Sequence, residues 1–343
     1  MKTFKLLMIL FLITFLISCS EDDESNPLSF IDGYSVSLTE AKGTTYSGDF
    51  FPLKEGHTLN YSGAVDMITE LSIPGEEPSK ESTVAPALGM LKVLAKQNIP
   101  LQSGAISLYP IVDLTEIEGD ITADTSRYFD KDEEAVYVKA IKMSDGSYLE
   151  VENPVYIKSS LVVGESWETA PQMDMTQLFS SEFGETSDMS LDAESKFFVV
   201  GHEMISLPIG EKWAMRMEQA NDITMKGTLF FYGSAIKLTV TSKLATVYHL
   251  LADTGVVHQN TMGTINMKMT FEGETISIKM TINQSELNLT SLGDDGFLNT
   301  KVSVPADLMI ETADLTYVDS RIKRQVKMLI KHLTRLLIND LKL

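Results

Sequence analysis

Apolar residues fall on every second position of Ile265-Asn-Met267-Lys-Met269-Thr-Phe271, and again in Ile276-Ser-Ile278-Lys-Met280-Thr-Ile282. A period of two puts all of one set on a single face of an extended strand, so these stretches cannot bury their apolar residues as helices. With Glu272-Gly273-Glu274 between them they read as an antiparallel hairpin with one wet face. Ile236, Leu238 and Val240 alternate with Lys237, Thr239 and Thr241 in the same way, and Val136 to Val138, Val155 to Ile157 and Lys301 to Val304 supply shorter candidates. The chain is therefore expected to be mainly β, a curved antiparallel sheet or half-open barrel dominating residues 46 to 318. The methionines on these strands are expected to fill core rather than to form a binding surface.

Two stretches carry helical spacing instead. Over Thr83 to Gln97, Leu88, Leu91, Val93, Leu94 and Ala95 predict a short helix with Pro86 in its first turn. Over Arg321 to Leu343, Ile322, Val326, Leu329, Leu333, Leu337 and Leu341 recur at helical spacing, capped by Asp319 or Ser320, so residues 320–343 are expected to form an amphipathic C-terminal helix. Seven bases against one acid give this helix +6. It is expected to dock its apolar stripe on the sheet, the alternative being an anionic membrane surface.

The start of the chain has a different character. Lys2 and Lys5 precede an apolar run from Leu6 to Ile17 broken only by Thr14, the order of a secretory signal and too short for a bilayer of ~30 Å. A small residue before Cys19, with Leu16 three places before it, resembles the lipobox of bacterial lipoproteins. That resemblance implies acylation of Cys19 as the new N-terminus. Ser20, Glu21, Asp22, Asp23 and Glu24 resemble the acidic tract that exports certain lipoproteins to the cell surface; such a block also serves as a solvated tether. The implied location is the outer membrane, lipid-anchored, on the cell surface or on the periplasmic face. The implied organisation is a signal at 1–18, an acylated acidic tether at 19–45 and a β-rich domain at 46–343, with room for two subdomains meeting near 170–195.

The mature chain sets 26 bases against 48 acids, a formal −22, which argues against a nucleic-acid partner. A lone cysteine provides no disulfide, so stability must come from burial and strand pairing.

Four further segments share an order. "FFPLKEGHTLNYSG" from Phe50, "VVGESWE" from Val162, "VVGHEMISLPIGEKWAMRMEQ" from Val199 and "TVYHLLADTGVVHQ" from Thr246 resemble the successive strands and turns of a group of bacterial surface lipoproteins. Leu59 stands where that group usually has Trp. The resemblance implies a half-open barrel, or β-clam, related in shape to periplasmic carriers of lipoproteins. In it Pro208 and Gly210 form a hairpin turn, and Trp167 and Trp213 are core or rim aromatics.

Enzyme signatures are weak. His202-Glu203 begins like a zinc-protease motif, but Ser206 stands where the second histidine belongs. His57, His249, His258 and His332 are scattered, and no constellation follows from them. Asp130 to Glu134 and Asp294-Asp295 lack the ligand spacing of a calcium loop. No catalytic residue, metal site or cofactor is expected. The expected function is non-enzymatic binding of an apolar or lipid ligand or of an envelope partner, with the membrane engaged through Cys19. A surface hydrolase acting on glycan or lipid through two carboxylates, and a structural or adhesive surface protein, remain as alternatives.

Overall fold

The computed structural model describes residues 36–293, apart from 76, 118–119, 144–145, 153–155, 171–185, 232–233 and 272. Sixteen strands are found there and no helix. The first half runs through β1 (Thr45–Ser47), β2 (Thr58–Ser72), β3 (Ser79–Val93), β4 (Gln97–Leu101), β5 (Gly104–Ile117), β6 (Asp120–Lys131), β7 (Ala135–Lys142), β8 (Tyr148–Glu150) and β9 (Tyr156–Lys158). The second runs through β10 (Ser160–Val162), β11 (Ser166–Thr169), β12 (Thr186–Leu207), β13 (Gly210–Phe231), β14 (Ser234–Leu251), β15 (Gly255–Phe271) and β16 (Glu274–Leu292).

Each half is an antiparallel meander, and the halves are joined edge to edge because β16 pairs with β2. The result is one sheet of order β11-β12-β13-β14-β15-β16-β2-β3-β5-β6-β7-β8, with β4 and β9 on short branches. Its edge strands β11 and β8 do not pair with each other, so the sheet is not closed into a barrel. A separate pair, β1 and β10, flanks it.

Alternation dictates the sidedness. In β15 and β16 the inward set Met267, Met269, Ile276, Ile278 and Met280 is buried while Lys268 and Lys279 are exposed, as the sequence predicts. Register pairs Met267 with Ile278, and each such residue removes apolar surface worth roughly 1.5–3 kcal/mol. The expected strands at 136–138 and 236–240 are also present, in β7 and β14.

The helix expected over Thr83 to Gln97 is not formed: most of that stretch is β3. Ala85, Ala87 and Val93 alternate inward, and this period of two prevails over the apparent helical spacing. Pro86 is tolerated because β5 pairs only with Ala87–Val93, leaving Pro86 a strand neighbour on one side alone. The C-terminal helix, the strand at 301–304 and Asp294-Asp295 lie outside the described residues, as does the segment 171–185 near the expected subdomain junction.

Curvature has local causes. Register shifts interrupt β12–β13 at Val199/Gly201, β15–β16 at Thr261/Gly263 and β16–β2 at Ile282/Gln284. Such bulges bend a strand and increase its twist. A Cβ on Gly63 would lie 1.7 Å from the carbonyl oxygen of Glu286, and one on Gly263, whose φ is +137, would lie 2.1 Å from that of Lys243. Only glycine permits backbones to approach this closely.

Candidate functional site

Where the sheet curls, residues far apart in strand order line one space. Ile111 of β5, Phe129 of β6 and Val138 of β7 share a cavity with Met217 of β13, Tyr248 and Leu250 of β14, and Leu287 of β16. Its volume is about 80 Å³, several times the ~10–15 Å³ that one water requires. The inward alternation of each strand explains the apolar lining.

Five polar side chains also line it: Asp113, Arg127, Gln259 and the phenols of Tyr248 and, from β2, Tyr61. Arg127 Nη2 donates to Asp113 Oδ2 at 2.6 Å, and the two side chains are 11% and 20% exposed. Tyr61 Oη donates to the Val256 carbonyl at 2.9 Å, and burial, followed by the charge of Asp113, raises its pKa well above the usual value. Tyr248 Oη donates to Gln219 Oε1 at 2.9 Å, and burial is the main cause that holds this phenol protonated.

From Gln219 the polar contacts continue inward. Its Nε2 donates to Asn221 Oδ1 at 2.9 Å, and Ser195 Oγ donates to the same oxygen. Thr246 and Thr261 hydroxyls bond to each other at 3.0 Å. A belt of hydrogen-bonded polar groups therefore crosses an apolar interior, although Asn221 Nδ2 within it is buried without an acceptor among the described residues. Among the side chains that line the cavity, Gln259 has a buried Nε2 that likewise meets no acceptor among the described residues, which costs a fold about 1–3 kcal/mol.

The sequence did not point to this set. Asp113 and Arg127 meet across a β5–β6 register shift between Ile111 and Asp113 that no local pattern announces. Cys19 and the Ser20 to Glu24 tract lie outside the described residues. Trp167 is a core aromatic, stacked on Phe197 at 5.0 Å between ring centroids, whereas Trp213 is 63% exposed. The hairpin turn after Leu207 is made by Pro208 and Ile209, with Gly210 at φ +97 opening β13.

A second cluster corrects the view that the histidines form no constellation. His249 and His258 are register partners on β14 and β15, with Nδ1 atoms 2.8 Å apart. Glu203 Oε1 lies 2.5 Å from His249 Nε2, Glu286 Oε1 lies 3.5 Å from His258 Nε2, and Arg216 bonds both Glu203 and Glu218. A Glu-His-His-Glu chain thus runs across strands β12 to β16. One Nδ1 must hold a proton and the other a lone pair. Pairing outward from the turn Ala252-Asp253-Thr254 would bring His249 opposite Val257, and a register shift between His249 and Leu250 brings it opposite His258 instead.

No group of three or more His, Cys, Asp or Glu among the described residues is arranged to hold a metal. Burial, then the neighbouring His249, lowers the His258 pKa below 6.5; the hydrogen bond to His249 lowers that of Glu203. A depressed folded pKa contributes stability that is complete above the unfolded value and is lost as pH falls toward the folded one. The thermal midpoint is therefore expected to fall as pH drops below about 6.5, and His258→Asn is expected to flatten that first step. An unchanged midpoint-versus-pH curve in the variant would show that His258 does not titrate on folding.

No family model matches the chain, and no curated protein matches it. Among solved structures, an exported protein with a YmcC-like fold from Bacteroides fragilis is 9% identical over 73% of this chain and 100% of its own, with a TM-score of 0.27. The outer membrane protein OmpT of Vibrio cholerae is 10% identical over 69% of this chain and 100% of its own, with a TM-score of 0.21. A LolA superfamily protein from Nitrosomonas europaea is 10% identical over 72% of this chain and 91% of its own, with a TM-score of 0.11. Likenesses this distant carry no functional argument, so the reading rests on the cavity itself.

Proposed function

We propose that this chain is an exported lipoprotein, anchored in the outer membrane through acyl chains on Cys19, whose curled sheet binds an apolar ligand without making or breaking a bond. The observation that carries the reading is the cavity of about 80 Å³ between β5–β7 and β13–β16, apolar over most of its lining and backed by hydrogen-bonded polar groups. Concave, mostly apolar sites with a few placed polar groups are the usual form of small-molecule sites. The hydrolase alternative needs two carboxylates facing a cleft, whereas this cavity is lined by one, Asp113, already paired with Arg127.

Ser20 to Glu24 supply the export signal in this reading, and several acyl chains at ~0.8 kcal/mol per buried methylene hold the anchor where a single chain would not. Cys19→Ala is expected to move the protein from the membrane to the soluble fraction with its melting midpoint unchanged. Organic extraction of that soluble protein, purified from its own host, is expected to release a lipid. Continued membrane association that requires detergent contradicts the anchor; a lipid-free extract contradicts the carrier role.

A further inference from the structure

Gln259 sets this cavity apart from a plain apolar hole. The residue is 9% exposed and lines the cavity, and its Nε2 finds no acceptor among the described residues. Buried amide donors are almost always paired, since desolvation without a partner is costly. Of the nearby donors, the Tyr61 and Tyr248 hydroxyls already donate to the Val256 carbonyl and to Gln219 Oε1. The donor presented to a bound molecule is therefore an amide N–H, and what it requires is an oxygen acceptor.

Charge narrows the class of acceptor. Asp113 and Arg127 face the same cavity and pair at 2.6 Å, so the lining is neutral as a whole. An entering carboxylate would either be buried with no cation of its own or take Arg127 from Asp113 and leave that group uncompensated. Both outcomes leave an unpaired charge in an apolar site. An uncharged carbonyl oxygen satisfies Gln259 and disturbs neither partner.

We propose that the cavity binds an acyl ester or acyl amide, with the carbonyl oxygen accepting from Gln259 Nε2 and the adjoining methylenes against Phe129, Val138 and Leu250, and that it discriminates against the free fatty acid of the same chain. This specificity rests on the apolar-ligand reading given above. Gln259 acts here as a binding residue whose unmet donor is retained for the ligand at the expense of the empty fold.

The test uses the full chain carrying Cys19→Ser, with 1-monooctanoylglycerol and octanoate each competing against a fluorescent acyl probe at neutral pH. The ester is expected to bind about tenfold tighter than octanoate, and Gln259→Leu is expected to weaken the ester about tenfold, the effect of one lost hydrogen bond. The same substitution is expected to leave the melting midpoint of the empty protein unchanged or higher, because it removes a buried donor without a partner. Octanoate binding as tightly as the ester overturns the specificity and leaves the apolar-ligand reading standing. A lowered midpoint in Gln259→Leu with undiminished ester affinity overturns it too, by making Gln259 structural. Failure of the probe and both lipids to bind overturns the apolar-ligand reading itself.

Discussion

Replacing Arg127 with Met is expected to cost about 3–5 kcal/mol of folding stability, and adding Asp113→Leu to recover most of it. The single change leaves Asp113, only 20% exposed, without its 2.6 Å partner inside an apolar lining. Removing both charges removes the desolvation cost along with the attraction, and Met and Leu retain much of the volume. Urea midpoints of the wild type, the two single variants and the double variant close a cycle that isolates the pair. A double variant as unstable as Arg127→Met alone would show that Arg127 stabilises by packing and not by balancing Asp113.

Gly63→Ala is expected to cost about 3 kcal/mol or more, at the upper end for overpacking. The new Cβ would meet the Glu286 carbonyl at 1.7 Å, and that oxygen belongs to the strand β16 that pairs with β2. A side-chain neighbour can swing aside, but a backbone carbonyl moves only if its ladder opens. Hydrogen exchange in the variant should accelerate first in β2 and β16, the seam between the two meanders. Protection that is lost evenly over all strands would mean that this seam is not what joins the halves.

How much of this was legible follows from the range of each signal. The hairpin from Ile265 to Ile282 could be read from the sequence because its period of two is written over consecutive residues. Reading Thr83 to Gln97 as a helix failed for a related reason. Leu88, Leu91, Val93, Leu94 and Ala95 suggest a helical face by chance, while Val93 in fact alternates into the core with Ala85 and Ala87, and both alanines are too small to announce it. The seam itself pairs Leu287 with Gly63, residues far apart in the chain, and no local pattern specifies that register. The Asp113–Arg127 contact was hidden by the shift beside Val112, because Arg127 pairs with Ile111 and Asp113 with Asp124 in the ladder. His249 opposite His258 was hidden in the same way, since a count outward from the turn at Asp253 stops at Val257 and only the shift beside Leu250 adds the extra residue. Gln259, one residue further on, then faces the interior by alternation, yet only the assembled sheet shows that its amide meets an apolar space.

The central claim is that this space receives an apolar molecule, and native mass spectrometry of the protein isolated from its own host tests it most directly. The wild type is expected to carry a lipid-sized adduct. Val138→Phe, which places a larger side chain in the lining from β7, is expected to lose the adduct while remaining folded. An adduct retained at equal occupancy in Val138→Phe, or none in either protein, would contradict the account.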